Sequence, residues 1–159
     1  MNDSHHTMVH NHESPNPKEE AMSKENPVAV VRQYFDYLAS GNLDALGQLL
    51  ADDVVWHQPG ASKVSGIYRG TAALFEHLGR FMKLSQGSFR IDKVDEIMGN
   101  GDVVAARIHF VAQRDGRTLA MNGVDLIRVE GGKIREVWLF SGDQAAEDVF
   151  WDAAMREEV

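Results

Sequence analysis

At 159 residues, 43% of them hydrophobic, the chain has material for one core of ordinary size. A net charge of −8 with scattered Lys and Arg argues against a nucleic-acid groove and an anionic membrane surface, and zero cysteines exclude disulfides, thiolate catalysis and cysteine-ligated metal centres. The apolar runs are only a few residues long, too short for a membrane span.

The first 25 residues, MNDSHHTMVHNHESPNPKEEAMSKE, are polar and lack the apolar stretch of a secretory signal. They are expected to form a disordered tail. His5, His6, His10 and His12 are expected to be solvated rather than gathered on a metal, and Met22 offers a second start.

Asn26-Pro27 reads as a helix start, an N-cap followed by proline at the first helical position. Val28, Val31, Phe35 and Leu38 recur at helical spacing with Tyr34 beside them, and Gly41 stops the helix. Asn42 caps a second helix carrying Leu43, Leu46, Leu49 and Leu50. Asp52-Asp53 leads into a strand over 54–58, VVWHQ, which Pro59-Gly60 ends. Residues 61–69 are expected to be irregular, anchored by Ile67 and Tyr68. Thr71 is expected to cap a third helix whose Leu74, Phe75, Leu78, Phe81 and Met82 form one stripe, with His77 off it and solvated.

From Gly87 the pattern changes to period two. Strands are predicted at 89–98, 103–113, 118–129 and 134–141, separated by Gly99-Asn100-Gly101-Asp102, Asp115-Gly116 and Glu130-Gly131-Gly132-Lys133. Residues 143–155 are predicted to form a last short helix with Val149, Phe150 and Trp151 as its apolar part. Helices ahead of a meander, plus the strand at 54, predict a single α+β domain over 26–155. It is a cone-shaped, curved antiparallel sheet covered by the N-terminal helices, around a pocket for a small apolar molecule.

Asp125 lies between Val124 and Leu126 in an otherwise apolar strand. Facing the pocket, it is desolvated and serves as a hydrogen-bond donor or general acid; facing out, it pairs with Arg107 or Arg128. Tyr34 is either a core tyrosine whose hydroxyl reaches the surface or a second donor converging with Asp125. His57 has a suitable pKa for a base, but strand alternation turns it away from Trp56 and Gln58 unless a bulge before Pro59 rotates it inward. Trp56, Phe110, Trp138 and Phe140 fall on one sheet face by alternation, with Tyr68 in the loop. They, Gln58 and Met121 are the expected ligand contacts, suited to a planar or polycyclic molecule. No residue pair has metal-ligand spacing, and there is no phosphate loop or nucleophile elbow, so neither metal nor cofactor is expected.

The order YFDYLASGNLDALGQLLADDVVW, SGIYRGTAAL and a four-strand meander resembles the nuclear transport factor 2-like, or cystatin-like, superfamily over residues 27–142. Within it the chain resembles SnoaL-like domains and ketosteroid isomerases. The resemblance implies the fold but no single reaction, because this fold hosts isomerases, cyclases, dehydratases, epoxide hydrolases and binding modules. In the isomerases a first-helix tyrosine and a protonated late-strand aspartate donate to the substrate oxygen, and AVVRQY and GVDLIRV match Tyr34 and Asp125 to those places. The isomerase base is an aspartate just before the proline that ends the first strand. Here VWHQPG has Gln58, which cannot abstract a proton at neutral pH. In the cyclase branch a late-strand aspartate is the acid/base, so Asp125 could also act alone.

Two functions are consistent with these residues. One is an acid/base enzyme on a small apolar carbonyl-containing substrate, of isomerase, cyclase, hydratase or hydrolase type, with His57 or Gln58 handling a proton or a water. The other is a non-catalytic ligand-binding or dimerisation module. The resemblance also implies a homodimer through the outer sheet face, on which His109 falls, and the composition suits the cytoplasm.

Overall fold

The computed structural model describes residues 26–158; the expected tail 1–25, with its four histidines and Met22, lies outside them. Helix α1 (Pro27–Ser40) starts where Asn26 Oδ1 accepts from the N–H groups of Val28 at 3.0 Å and Ala29 at 3.3 Å. Gly41 ends it in the left-handed region at φ 69°, and Asn42 Oδ1 caps α2 (Leu43–Leu49) by accepting from Ala45 N–H at 3.2 Å.

Strand β1 (Leu50–Gln58) begins earlier than the predicted 54. Its register shifts between Leu50 and Val55, which leaves Asp52 and Asp53 both exposed within the strand and hides the alternation there. The stretch expected to be irregular contains a strand, β2 (Gly66–Arg69), pairing Trp56 with Tyr68 and Gln58 with Gly66. Four residues on a sheet edge, with Ile67 55% exposed, carry too little patterning to be read. Helix α3 (Thr71–Leu84) takes Gly70 rather than Thr71 as its N-cap. Its buried line is Leu74, His77, Phe81 and Leu84, so His77 is buried, against expectation, while Met82 is 43% exposed.

The meander comprises β3 (Arg90–Asn100), β4 (Val103–Arg114), β5 (Arg117–Glu130) and β6 (Lys133–Ser141). Helix α4 (Gln144–Glu157) follows, capped by Asp143 Oδ1 accepting from Ala146 N–H at 3.1 Å. Phe150 and Trp151 are buried as expected, but Val149 is 65% exposed. The strand order is β2-β1-β6-β5-β4-β3. Every pairing is antiparallel except β1 with β6, which is parallel, so the expected antiparallel sheet is a mixed one. The connection from β1 to β6 holds β2, α3 and strands β3 to β5, long enough to bring the chain back running the same way.

The helices cover one face of this curved sheet. Alternation on β4 turns Val104, Ala106, Ile108 and Phe110 inward, and β5 and β6 add Ile127, Val129, Ile134 and Val137. Helix α1 lays Val30, Val31, Tyr34 and Phe35 over this surface, and Phe81 of α3 stacks on Trp151 of α4 with ring centroids 4.4 Å apart. Each fully buried large apolar side chain contributes about 1.5–3 kcal/mol. Among the described residues no helix is long and apolar enough to cross a membrane.

Candidate functional site

Between the inner face and the helices lies a cavity of about 70 Å³ that opens to solvent at its mouth. Leu38 of α1, Leu78 and Phe81 of α3, and Phe89, Ile91, Ile108 and Phe110 make its walls apolar. Five side chains bring polar groups to it: Tyr34, Gln58, Asp125, Ser141 and Glu147. Among the described residues no Lys or Arg lines it.

Asp125 faces inward because it shares a parity with its partners Ala106 on β4 and Leu139 on β6. It is 4% exposed. The outward alternative fails: Arg107 pairs with Asp95 and Glu96, and Arg128 with Glu130 and Glu136. Burial, and after it the charge of Glu147, push the Asp125 pKa from 3.8 to about 7. Tyr34, also buried, has its hydroxyl pKa raised by burial and then by the charge of Asp125, so it stays a neutral donor. Among the described residues neither Tyr34 nor Asp125 has a side-chain hydrogen-bond partner, so both retain their hydrogen-bonding capacity for whatever fills the cavity.

Gln58 is held from behind. Trp56 Nε1 can only donate, and it lies 3.1 Å from Gln58 Oε1. The same oxygen lies 2.9 Å from His77 Nε2, so that nitrogen carries the hydrogen. With its oxygen occupied twice, Gln58 has its NH₂ left for the cavity. His77 Nδ1 is then a buried acceptor without a partner among the described residues. Burial first, and the Arg80 charge second, lower the His77 pKa from 6.5 to about 4, so it is neutral at physiological pH.

Glu147 escaped the sequence reading. It opens the buried line Glu147, Phe150, Trp151 and Ala154 of α4 at the spacing of an apolar stripe, and that position is the signal that marks it. Its Oε1 accepts from Ser141 Oγ at 2.8 Å and Gln144 Nε2 at 3.0 Å, and its Oε2 from Trp151 Nε1 at 3.4 Å. Burial raises its pKa against the pull of those donors.

The remaining expected site residues divide. Trp56 and Phe110 line the cavity. His57 does not: it stacks on Trp138, with centroids 5.3 Å apart, and its Nε2 sits 2.6 Å from Glu136 Oε2. Both rings lie on the outer face, because β1 and β6 run parallel and put His57 beside Trp138 in register. The expected inward Trp138 is thereby corrected; Val137 and Leu139 take the inner side. Phe140 borders the cavity but is 56% exposed. Tyr68 stacks on His77, centroids 3.8 Å apart, and donates to Val64 O, so it backs the Gln58 support rather than the cavity. Met121 lies outside the lining and accepts at Sδ from Asp143 N–H. His109 is on the outer face as alternation predicts, 2.7 Å from Asp92.

A solved structure from Xanthomonas campestris, a protein of unknown function with a cystatin-like fold, is 44% identical to this chain, covers 79% of it and 98% of its own length, and superposes with a TM-score of 0.77. Bal32a from a soil-derived mobile gene cassette is 25% identical over 80% of this chain and 98% of its own, with a TM-score of 0.75. The uncharacterized protein Rv0034 of Mycobacterium tuberculosis is 29% identical over 130 residues, 82% of this chain and 99% of that protein. The SnoaL-like domain model matches residues 31–137, which include the strand of Asp125 and all but the first turn of the helix of Tyr34. The chain belongs to the SnoaL-like domain family.

Proposed function

We propose that the cavity takes a small, neutral, apolar molecule bearing a carbonyl or similar oxygen, and that the protein is an acid/base enzyme of isomerase, cyclase, hydratase or hydrolase type. One observation carries this reading: a buried carboxyl and a buried phenol, both without side-chain partners, face one apolar cavity. In that environment Asp125 holds its proton near neutrality and Tyr34 holds its own, so both can donate to one developing oxyanion. The Gln58 NH₂ supplies a third donor. Two acids, and no cation among the described lining residues, disfavour an anionic ligand.

A thermal-shift series tests this. Neutral aromatic ketones should raise Tm, because a ligand at 100 times its Kd adds about 2.7 kcal/mol. Their carboxylate analogues should not. If no neutral ring ketone stabilises the protein, the cavity is not a site for such molecules. The absent carboxylate at Gln58 favours a second reading, a binding module without turnover; it predicts the same shifts and no product.

We also propose a homodimer through the outer sheet face in a cytoplasmic protein. The exposed Phe140 and Val124, paired in register on β6 and β5 beside Trp138, support it.

A further inference from the structure

We infer that Glu147, reaching the cavity from α4, is its proton acceptor and supplies the carboxylate that position 58 lacks. The inference rests on the acid/base reading above.

Two carboxyls line the one cavity, each only 4% exposed, and their surroundings differ. Asp125 meets Ala106 and Leu139 across the sheet and has no donor among the described residues. Glu147 has three: Ser141 Oγ, Gln144 Nε2 and Trp151 Nε1. Hydrogen bonds to a carboxylate favour its charged form, and desolvation without them favours the neutral form. When the pair holds one proton, it rests on Asp125, and Glu147 is the anion. Two acids driven apart by environment are a general way to obtain an acid and a base in one site.

The donors are unevenly placed. Two of them engage Oε1, while Oε2 receives only the 3.4 Å contact from Trp151. Oε2 therefore keeps a lone pair for a carbon acid. In the step this allows, Glu147 Oε2 takes a proton from the carbon next to the substrate carbonyl. The C–H electron pair becomes a C=C bond, and the carbonyl π pair moves onto oxygen, where Tyr34 and Asp125 donate to it. Glu147 then returns the proton to the same carbon or to one conjugated with it. Atoms and electrons balance with no further reactant.

The test uses the full chain and 2-tetralone, a neutral bicyclic ketone, in D₂O. Fluorescence quenching reads binding, since Trp56 lines the cavity, and NMR reads exchange of the protons next to the carbonyl. Glu147→Gln should bind with a Kd within about threefold of wild type and lose at least about 100-fold in exchange rate, the usual size of general-base catalysis. Ser141→Ala removes a donor to the anion and should shift the acidic limb of the exchange profile to higher pH. The other groups facing Glu147 (Asp125, Asp148, Gln144 and Trp151) are unchanged in that variant. Exchange by Glu147→Gln within threefold of wild type, or an unmoved limb in Ser141→Ala, overturns the assignment; should Glu147→Gln not fold, the limb decides alone. Wild type that binds 2-tetralone without exchanging it also overturns Glu147 as base but leaves the binding cavity standing. Wild type that does not bind it overturns the parent reading instead.

Discussion

Asp125→Asn should make the protein more stable above neutral pH and change it little in acid. The folded pKa of Asp125 is about 7 against an ordinary 3.8. Below 3.8 the carboxyl is protonated whether the chain is folded or not, so it adds no pH dependence. Between 3.8 and about 7 the unfolded chain releases the proton and the folded chain keeps it, so stability falls as pH rises. Above that window the loss is complete. A gap of about three pH units at ~1.4 kcal/mol each makes it about 4 kcal/mol. Asparagine matches the protonated acid in shape and never ionises. His77 tilts the wild-type profile the other way: its folded pKa of about 4 lies below the ordinary 6.5, so stability is lost as pH falls through that interval. The two slopes oppose each other over most of the mildly acid range, and only the difference between Asp125→Asn and wild type isolates the aspartate. Urea denaturation at about pH 5 and about pH 8 measures it. The stability advantage of the variant should grow by about 3 kcal/mol between them. An advantage equal at both pH values would mean that Asp125 does not titrate in a buried site, and the reading of the cavity fails with it.

Tyr34→Phe should weaken binding of a neutral aromatic ketone about tenfold, the worth of one hydrogen bond, with the fold intact by circular dichroism; unchanged affinity would remove Tyr34 from the site. Gly123→Ala should cost about 1–3 kcal/mol in a urea melt, since a Cβ there would lie 2.6 Å from the Phe140 carbonyl oxygen and 3.3 Å from the Phe110 ring. Phe140→Glu should convert a dimer to a monomer in sedimentation, and a wild type that sediments as a monomer would refute the outer-face interface.

The helical frame was readable because three of the four helix starts carry their own chemistry. Asn26, Asn42 and Asp143 accept from backbone N–H groups where a capping residue should, and Gly41 takes the left-handed turn. The meander was readable from period two and its glycine turns. What escaped detection depended on a partner in another element. Strand β2 exists because β1 offers an edge to it, and the parallel run of β1 beside β6 decides that Trp138 faces His57 and not the cavity. His77 and Glu147 were missed for one reason: each is a polar residue on an apolar stripe, between Leu74 and Phe81 in one case and ahead of Phe150 and Trp151 in the other. Polarity assigns such residues to solvent. Burial of a polar group on a stripe requires a partner, and the decisive one sits on another element: Gln58 of β1 for His77, Ser141 of β6 for Glu147.

A carboxyl that costs the fold several kcal/mol at neutral pH weighs heavily against a typical total of about 5–15 kcal/mol. An arginine nearby would remove the cost, and among the described residues none lines the cavity. A ligand oxygen that accepts from Asp125 removes it in another way, by binding only the protonated form. Affinity for such a ligand must then follow the proton. Below pH 7 Asp125 is protonated and affinity is level; above about 7 the competent fraction falls tenfold per pH unit, and Kd rises in step. Calorimetry in two buffers of different ionisation enthalpy should show proton uptake on binding near pH 8 and little near pH 5 or 6. In Asp125→Asn the uptake and the pH dependence of Kd should both disappear. A wild-type affinity that stays level from pH 6 to 8 would mean the ligand does not touch the carboxyl, and the acid would then be a cost without a use.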